Sequence, residues 1–221
     1  MKQAVTSKLD FENTMGRIEE QAEDIDRLFK LFQKMQTEQC MDSDGFINAK
    51  QELRSRLKAL EDELNRYLAG EYGIDPNNKT AYKKWLDSHK PFHWFIEFYG
   101  ILKNGGFDVN IGNPPYFEFR EVDYILKNYE AIDTAAIHAI CIERSASLLH
   151  KYGCMSMIVP LSLVSTQRMK VVQNILERNH ITWYANFAWR PAKLFDTVNR
   201  ALTIFTVTPA SVEQLLLLLG T

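Results

Sequence analysis

One stretch constrains this chain more than any other: Gly105-Gly106-Phe107-Asp108-Val109-Asn110-Ile111-Gly112-Asn113-Pro114-Pro115-Tyr116. Phe107 to Ile111 is a short apolar-leaning run, opened by a glycine pair and closed by Gly112, the pattern of a buried strand entering a tight loop. Pro114 and Pro115 fix φ at two consecutive positions and remove two N–H donors, so neither sheet nor helix continues through them. Asn113, immediately before a proline, is pushed towards an extended conformation. The product is a stiff tetrapeptide at the C-terminal end of a strand, with an amide at one end and a phenol at the other. In open α/β sheets that edge is where ligands bind.

The segments on either side have different periods. Phe11, Met15, Ile18, Ala22, Ile25, Phe29 and Phe32 recur every three or four residues, one stripe of a long helix. After the turn-rich Cys40-Met41-Asp42-Ser43-Asp44-Gly45, a second series runs through Leu53, Leu57, Leu60, Leu64 and Leu68, with Gly70 and Gly73 as stops. Two such helices with a short link predict an antiparallel hairpin rather than a parallel coiled coil, because each series lasts only three to four heptads. Asp75-Pro76-Asn77-Asn78 is the next loop, and Thr80 to Asp87 a short helix. Phe92, Phe95 and Tyr99 fall on helical spacing within an aromatic segment, Phe92 to Leu102, predicted to bury against the sheet. Beyond Tyr116 the spacing predicts helices over Val122 to Tyr129, Thr134 to Tyr152 and Gln167 to Asn179, with Gly153 ending the second. Strands are predicted at Cys154 to Val159, Ile181 to Ala188 and Ala201 to Val207, the last two as an antiparallel pair. Alternating helices and strands argue for an α/β layer. The expected division is a helical insert over 1–75, a catalytic part over 76–210 and a tail over 211–221.

Composition narrows the partners. Residues 1–75 carry 11 basic and 16 acidic side chains against 15 and 12 in the remainder, so neither part is a free-standing cationic DNA binder. The longest apolar run, Leu215 to Leu219, is far short of a membrane span, and Cys40, Cys141 and Cys154 lack framework spacing, which fits a reducing cytoplasm. Two apparent metal sites fail. Placing Gly45 at the sixth position of a calcium loop puts Cys40 and Gln51 where carboxylates are required. His89 and His93 are separated by Pro91 and lack a completing ligand pair.

Asn113-Pro114-Pro115-Tyr116 behind its strand resembles the catalytic motif of the amino-group methyltransferases that use S-adenosylmethionine. The block Lys90-Pro91-Phe92-His93-Trp94-Phe95-Ile96-Glu97-Phe98, running into Gly105-Gly106-Phe107-Asp108, resembles a narrower set: adenine-specific DNA methyltransferases of restriction-modification systems, including those fused to a nuclease. The resemblance covers roughly Trp85 to Val207. It implies an α/β fold, a partial Rossmann-like sheet from the catalytic strand onward, and a double-stranded DNA substrate with one adenine extruded from the stack.

An exocyclic adenine amine is a poor nucleophile because its lone pair is delocalised into the ring, and acceptors for both N6 protons localise that pair. The Asn113 side-chain oxygen and the Pro114 carbonyl are the expected acceptors, held rigid by Pro114 and Pro115. Tyr116 supplies a stacking face. The family places a second aromatic on the other face of the base, for which Phe195 is the best positional match and Trp189 a rival.

One departure stands out. The family holds its cofactor on a Gly-x-Gly loop, and this chain has none. Phe107 and Asp108 are the nearest cofactor candidates. The expectation is a chain inactive alone, completed by cofactor-binding and target-recognition segments, with the free edge of Phe107 to Ile111 covered by the N-terminal helices or paired in a dimer. Two other readings stay open: a non-enzymatic helical interaction module with a vestigial catalytic loop, and a methyltransferase of RNA or protein amides.

Overall fold

The computed structural model of the chain describes residues 16–31, 34, 43–178, 180–190, 193–196 and 199–210. Phe11, Met15 and Phe32 of the first stripe, most of the link after it and the Leu215 to Leu219 tail lie outside the described residues. The chain divides into two compact units, Met1–Lys103 and Asn104–Thr221.

The first unit is helical: α1 over residues 16–31, α2 Ser43–Glu71, α3 Lys79–His89, and the short α4 Trp94–Glu97 and α5 Tyr99–Lys103. Its core joins Ile18, Ala22 and Ile25 of α1 to Leu53 and Leu60 of α2, so the apolar periodicity marks the stripes that are buried. Arg17 pairs with Glu63 across the two helices. The Asn78 side chain caps α3 by accepting from the Ala81 N–H at 3.2 Å. Within the aromatic segment Phe95, Ile96 and Tyr99 join the helical core, because the α1 and α2 stripes present apolar surface to the same face of α4 and α5. Phe92 is left 56% exposed.

The second unit is a four-stranded mixed sheet in the order β1-β2-β4-β3, with β1 Phe107–Gly112, β2 Leu149–Pro160, β3 His180–Phe187 and β4 Leu202–Pro209. β1 and β2 are parallel, joined through α6 Ile137–Leu148, and β4 runs antiparallel to both β2 and β3, as predicted for the last two strands. After β2 come α7 Ser162–Ser165, a 3-10 turn Gln167–Met169 and α8 Lys170–Glu177. One face of the sheet is the core: Met155, Met157 and Val159 alternate along β2, Phe205 and Val207 along β4, and all pack with Ile140 and Ile142 of α6 and Val172 and Leu176 of α8. Val109, Ile111 and Trp183, on the opposite face, are exposed. Among the described residues no strand lies on the other side of β1.

Two predicted helices are corrected. Residues 122–129 are irregular. Asp123 and Asn128 offer the backbone side-chain alternatives to a helix, Asn128 takes a φ of +63°, and Leu126 and Tyr129 still reach the core without one. The helix predicted over Thr134 to Tyr152 ends at Leu148, and Leu149 to Tyr152 belong to β2. Pairing of Leu149 with Phe107 outweighs helix continuation. Gly153 is therefore a strand residue rather than a helix stop, and a Cβ there would lie 2.7 Å from the Phe107 carbonyl. Gly106 has the same function at the strand entrance. Its φ is +116°, and a Cβ would meet the Leu148 carbonyl at 2.5 Å, so only glycine lets β1 start this close to the end of α6.

The topology gathers three segments at one edge. β1 and β2 both end there, at Gly112 and Pro160, while Leu202, where β4 begins, pairs with Pro160 and with Phe187, where β3 ends. Residues 113–116, 161–170 and the described part of the β3–β4 connection emerge together.

Candidate active site

Asn113 to Tyr116 leave β1 directly, with Asn113 and Pro115 exposed, Pro114 buried and Tyr116 half-buried. The loop is fastened through the phenol. Tyr116 Oη lies 2.8 Å from the Ile158 carbonyl of β2 and 2.5 Å from Asn113 Oδ1. A phenol has one proton for these two acceptors. From the other side the Arg200 guanidinium donates to the Tyr116 carbonyl at 3.0 Å, tying the start of β4 to the tetrapeptide. Burial raises the Tyr116 pKa, with the Arg200 charge opposing, so the hydroxyl keeps its proton at neutral pH. Among the described residues no hydrogen bond reaches the Pro114 carbonyl, which stays available as an acceptor.

Behind the tyrosine stands His138, in the first turn of α6, its ring edge-on to Tyr116 at 6.5 Å between centroids. It is only 4% exposed and neither ring nitrogen has a partner. Its pKa is pushed down to about 4, first by burial and then by the charges of Arg168 and Arg200. The imidazole is neutral at physiological pH. It is a wall of the site and cannot supply a proton there.

Of the residues proposed from sequence, Asn113, Pro114, Pro115 and Tyr116 form one continuous feature at the sheet edge. Phe195 and Trp189 both lie on the loop between β3 and β4 that emerges at this edge, 40% and 46% exposed. Trp189 carries the Arg190 guanidinium over its ring at 5.1 Å. Phe107 and Asp108 sit at the other end of β1, six and five residues before Asn113, or about 20 and 17 Å at the rise of an extended strand. Sequence reasoning missed His138 and Arg200. A lone histidine inside the apolar run Ala136 to Ile142 was a visible signal of a buried polar group. Arg200 had none, since its role arises only when β4 returns beside β2.

The sequence model of the family described as Eco57I restriction-modification methylase matches residues 7–195, most of the chain. A protein of Methanocaldococcus jannaschii, named for a type II restriction enzyme and methyltransferase, is 40% identical over 75 residues. That match covers 33% of this chain and 6% of the relative, so the chain spans a small part of the relative's length. With the family match extending through the Asn-Pro-Pro-Tyr loop and strands β1 to β3, this chain belongs to the Eco57I restriction-modification methylase family.

Proposed function

We propose that this chain holds the target base in a DNA adenine-N6 methyltransferase of a restriction-modification system. The observation that carries the reading is the Asn113 to Tyr116 loop, pinned at the C-terminal edge of the sheet by the Tyr116 hydroxyl. The family implies a methyl donor of the S-adenosylmethionine type. Phe107 and Asp108 are the residues of this chain nearest to that role, and the chemistry below is confined to the amine.

Competition for the Tyr116 proton is resolved by a half-turn of the Asn113 amide. Asn113 Nδ2–H then donates to Tyr116 Oη, Tyr116 Oη–H donates to the Ile158 carbonyl, and Asn113 Oδ1 turns outward. That oxygen and the Pro114 carbonyl accept the two N6 protons of an extruded adenine and localise its lone pair, with acceptors fixed before the substrate arrives. No general base is required until the methylated amine sheds its proton. The Tyr116 ring stacks one face of the base, and Phe195, with Trp189 as rival, stacks the other. The helical segment over 1–75 we read as an antiparallel hairpin inserted in the catalytic domain, which is supported by the Arg17–Glu63 pair and the core shared by α1 and α2. Chain 76–210 is the catalytic part, and the chain alone is inactive for want of the cofactor loop.

A single-stranded oligonucleotide carrying 2-aminopurine tests the site without knowledge of a recognition sequence. Binding quenches its fluorescence by stacking, and Tyr116→Ala relieves the quenching. Equal quenching by wild type and variant would remove Tyr116 from the site.

A further inference from the structure

We propose that Arg168 and Arg200 form a phosphate clamp that holds the nucleic-acid backbone on either side of the base seated against Tyr116, an inference that rests on the function proposed above. Arg200 spends one of its guanidinium N–H donors on the Tyr116 carbonyl at 3.0 Å, and an arginine has five. That bond fixes the charge beside the tetrapeptide, while the side chain remains exposed. Arg168 approaches from the segment after β2. Its Nη1 makes a long ion pair with Glu118 Oε1 at 3.8 Å, too far for a hydrogen bond, and the other oxygen of Glu118 is engaged by Arg120 Nε at 3.1 Å. Arg200 bonds the Tyr116 carbonyl and Arg168 pairs with Glu118, two residues further along the chain, so both guanidiniums sit beside the same loop.

The charge of the surrounding edge agrees. Residues 161–170 carry Arg168 and Lys170 and no acid, and residues 188–201 carry Arg190, Lys193 and Arg200 against Asp196 alone. Just past residues 113–116, Glu118 and Glu121 outnumber Arg120 by one, and the Glu121 carboxylate accepts from the Glu118 N–H at 2.9 Å. The cations therefore concentrate at the mouth of a site that must accept a nucleotide drawn out of its strand. A flipped nucleotide carries a phosphate on each side, and guanidinium matches phosphate in a planar, bidentate geometry. Fixed positive charge beside an aromatic platform is the arrangement that binds single strands without reading sequence.

The test is fluorescence anisotropy of a labelled single-stranded oligonucleotide containing 2-aminopurine, titrated with the full chain at several salt concentrations. Removing one phosphate-neutralising cation lowers the slope of log K against log salt by about 0.7 on single strands. Arg168→Gln and Arg200→Gln are each expected to lower it by that amount, Arg200→Lys to retain it, and Arg56→Gln, on the helical unit, to leave it unchanged. If Arg200→Gln fails to fold, Arg168→Gln carries the measurement, since its side chain makes no hydrogen bond to the tetrapeptide. Unchanged slopes in both glutamine variants overturn the clamp. If 2-aminopurine quenching still depends on Tyr116 in those same complexes, the proposed function survives that failure. Absence of binding at low salt sinks both.

Discussion

Acidification destabilises this fold in part through His138. An imidazole in an unfolded chain titrates at about 6.5, and in the folded protein His138 is held down to about 4. The groups facing it are the Tyr116 ring, edge-on, and the two cations Arg168 and Arg200, with no carboxylate among the influences on it. Below pH 6.5 the unfolded state takes up a proton that the folded state refuses, so stability falls as pH drops from 6.5 towards 4 and is unaffected above 6.5. At pH 5 the loss is about 2 kcal/mol, and below pH 4 it approaches about 3 kcal/mol. Urea denaturation of wild type and His138→Leu at pH 8 and pH 5 isolates the contribution, because other titrating groups cancel in the double difference. Leucine fills a similar volume and removes two buried nitrogens that have no partner, so no hydrogen bond is lost. Wild type is expected to lose about 2 kcal/mol more than the variant between the two pH values. Equal losses would mean that His138 has a folded pKa near its ordinary value, and that the site behind Tyr116 is wet.

Three further outcomes follow from particular contacts. Tyr116→Phe keeps the stacking ring but removes the hydroxyl that orients Asn113. In the intact methyltransferase kcat is expected to fall about five- to tenfold with KM for DNA unchanged, the equivalent of one hydrogen bond of about 1 kcal/mol, and steady-state kinetics showing a change in KM alone would contradict it. Gly106→Ala places a Cβ 2.5 Å from the Leu148 carbonyl at a φ of +116°, and should lower stability by about 2 kcal/mol or more, read as a shift in the denaturation midpoint. Titration calorimetry of this chain with S-adenosylmethionine is expected to give no detectable heat of binding at millimolar cofactor. Binding at tens of micromolar would place a cofactor site among residues assigned here to scaffold.

Strand β1 was legible because its limits are written in residues that allow one backbone only: Gly106 at the entrance and two prolines at the exit. The stripes of α1 and α2 were legible for a different reason, since leucine and isoleucine at helical spacing must be buried somewhere. What misled was the stretch between. Val122 to Tyr129 has helical apolar spacing, yet its short polar side chains and a left-handed Asn128 make an irregular strap that buries Leu126 and Tyr129 equally well. The early end of α6 was hidden because Leu149 to Tyr152 suit a helix locally, and only the ladder to β1 makes them a strand. At the site the same division holds. Asn113 and Tyr116 were found by local chemistry, whereas Arg200 acts across 84 residues of sequence and acquires its role only from strand order.

That long-range bond belongs to a set whose logic is the precision of the loop. Among the described residues β1 has a single strand neighbour, and an edge strand held on one side is a poor platform for a group that must be placed within about half an ångström. Three fastenings to three different elements compensate. The Asn110 amide donates to the Ser145 carbonyl of α6 at 2.8 Å, the Tyr116 hydroxyl reaches the Ile158 carbonyl of β2, and Arg200, at the start of β4, holds the Tyr116 carbonyl. The first fixes the strand just before the loop, and the other two fix its far end, while Pro114 and Pro115 stiffen what lies between. Each fastening joins a side chain to a backbone carbonyl, so it constrains position without depending on the identity of the partner residue. Asn113 is thus the one polar side chain of the tetrapeptide left to turn towards a substrate.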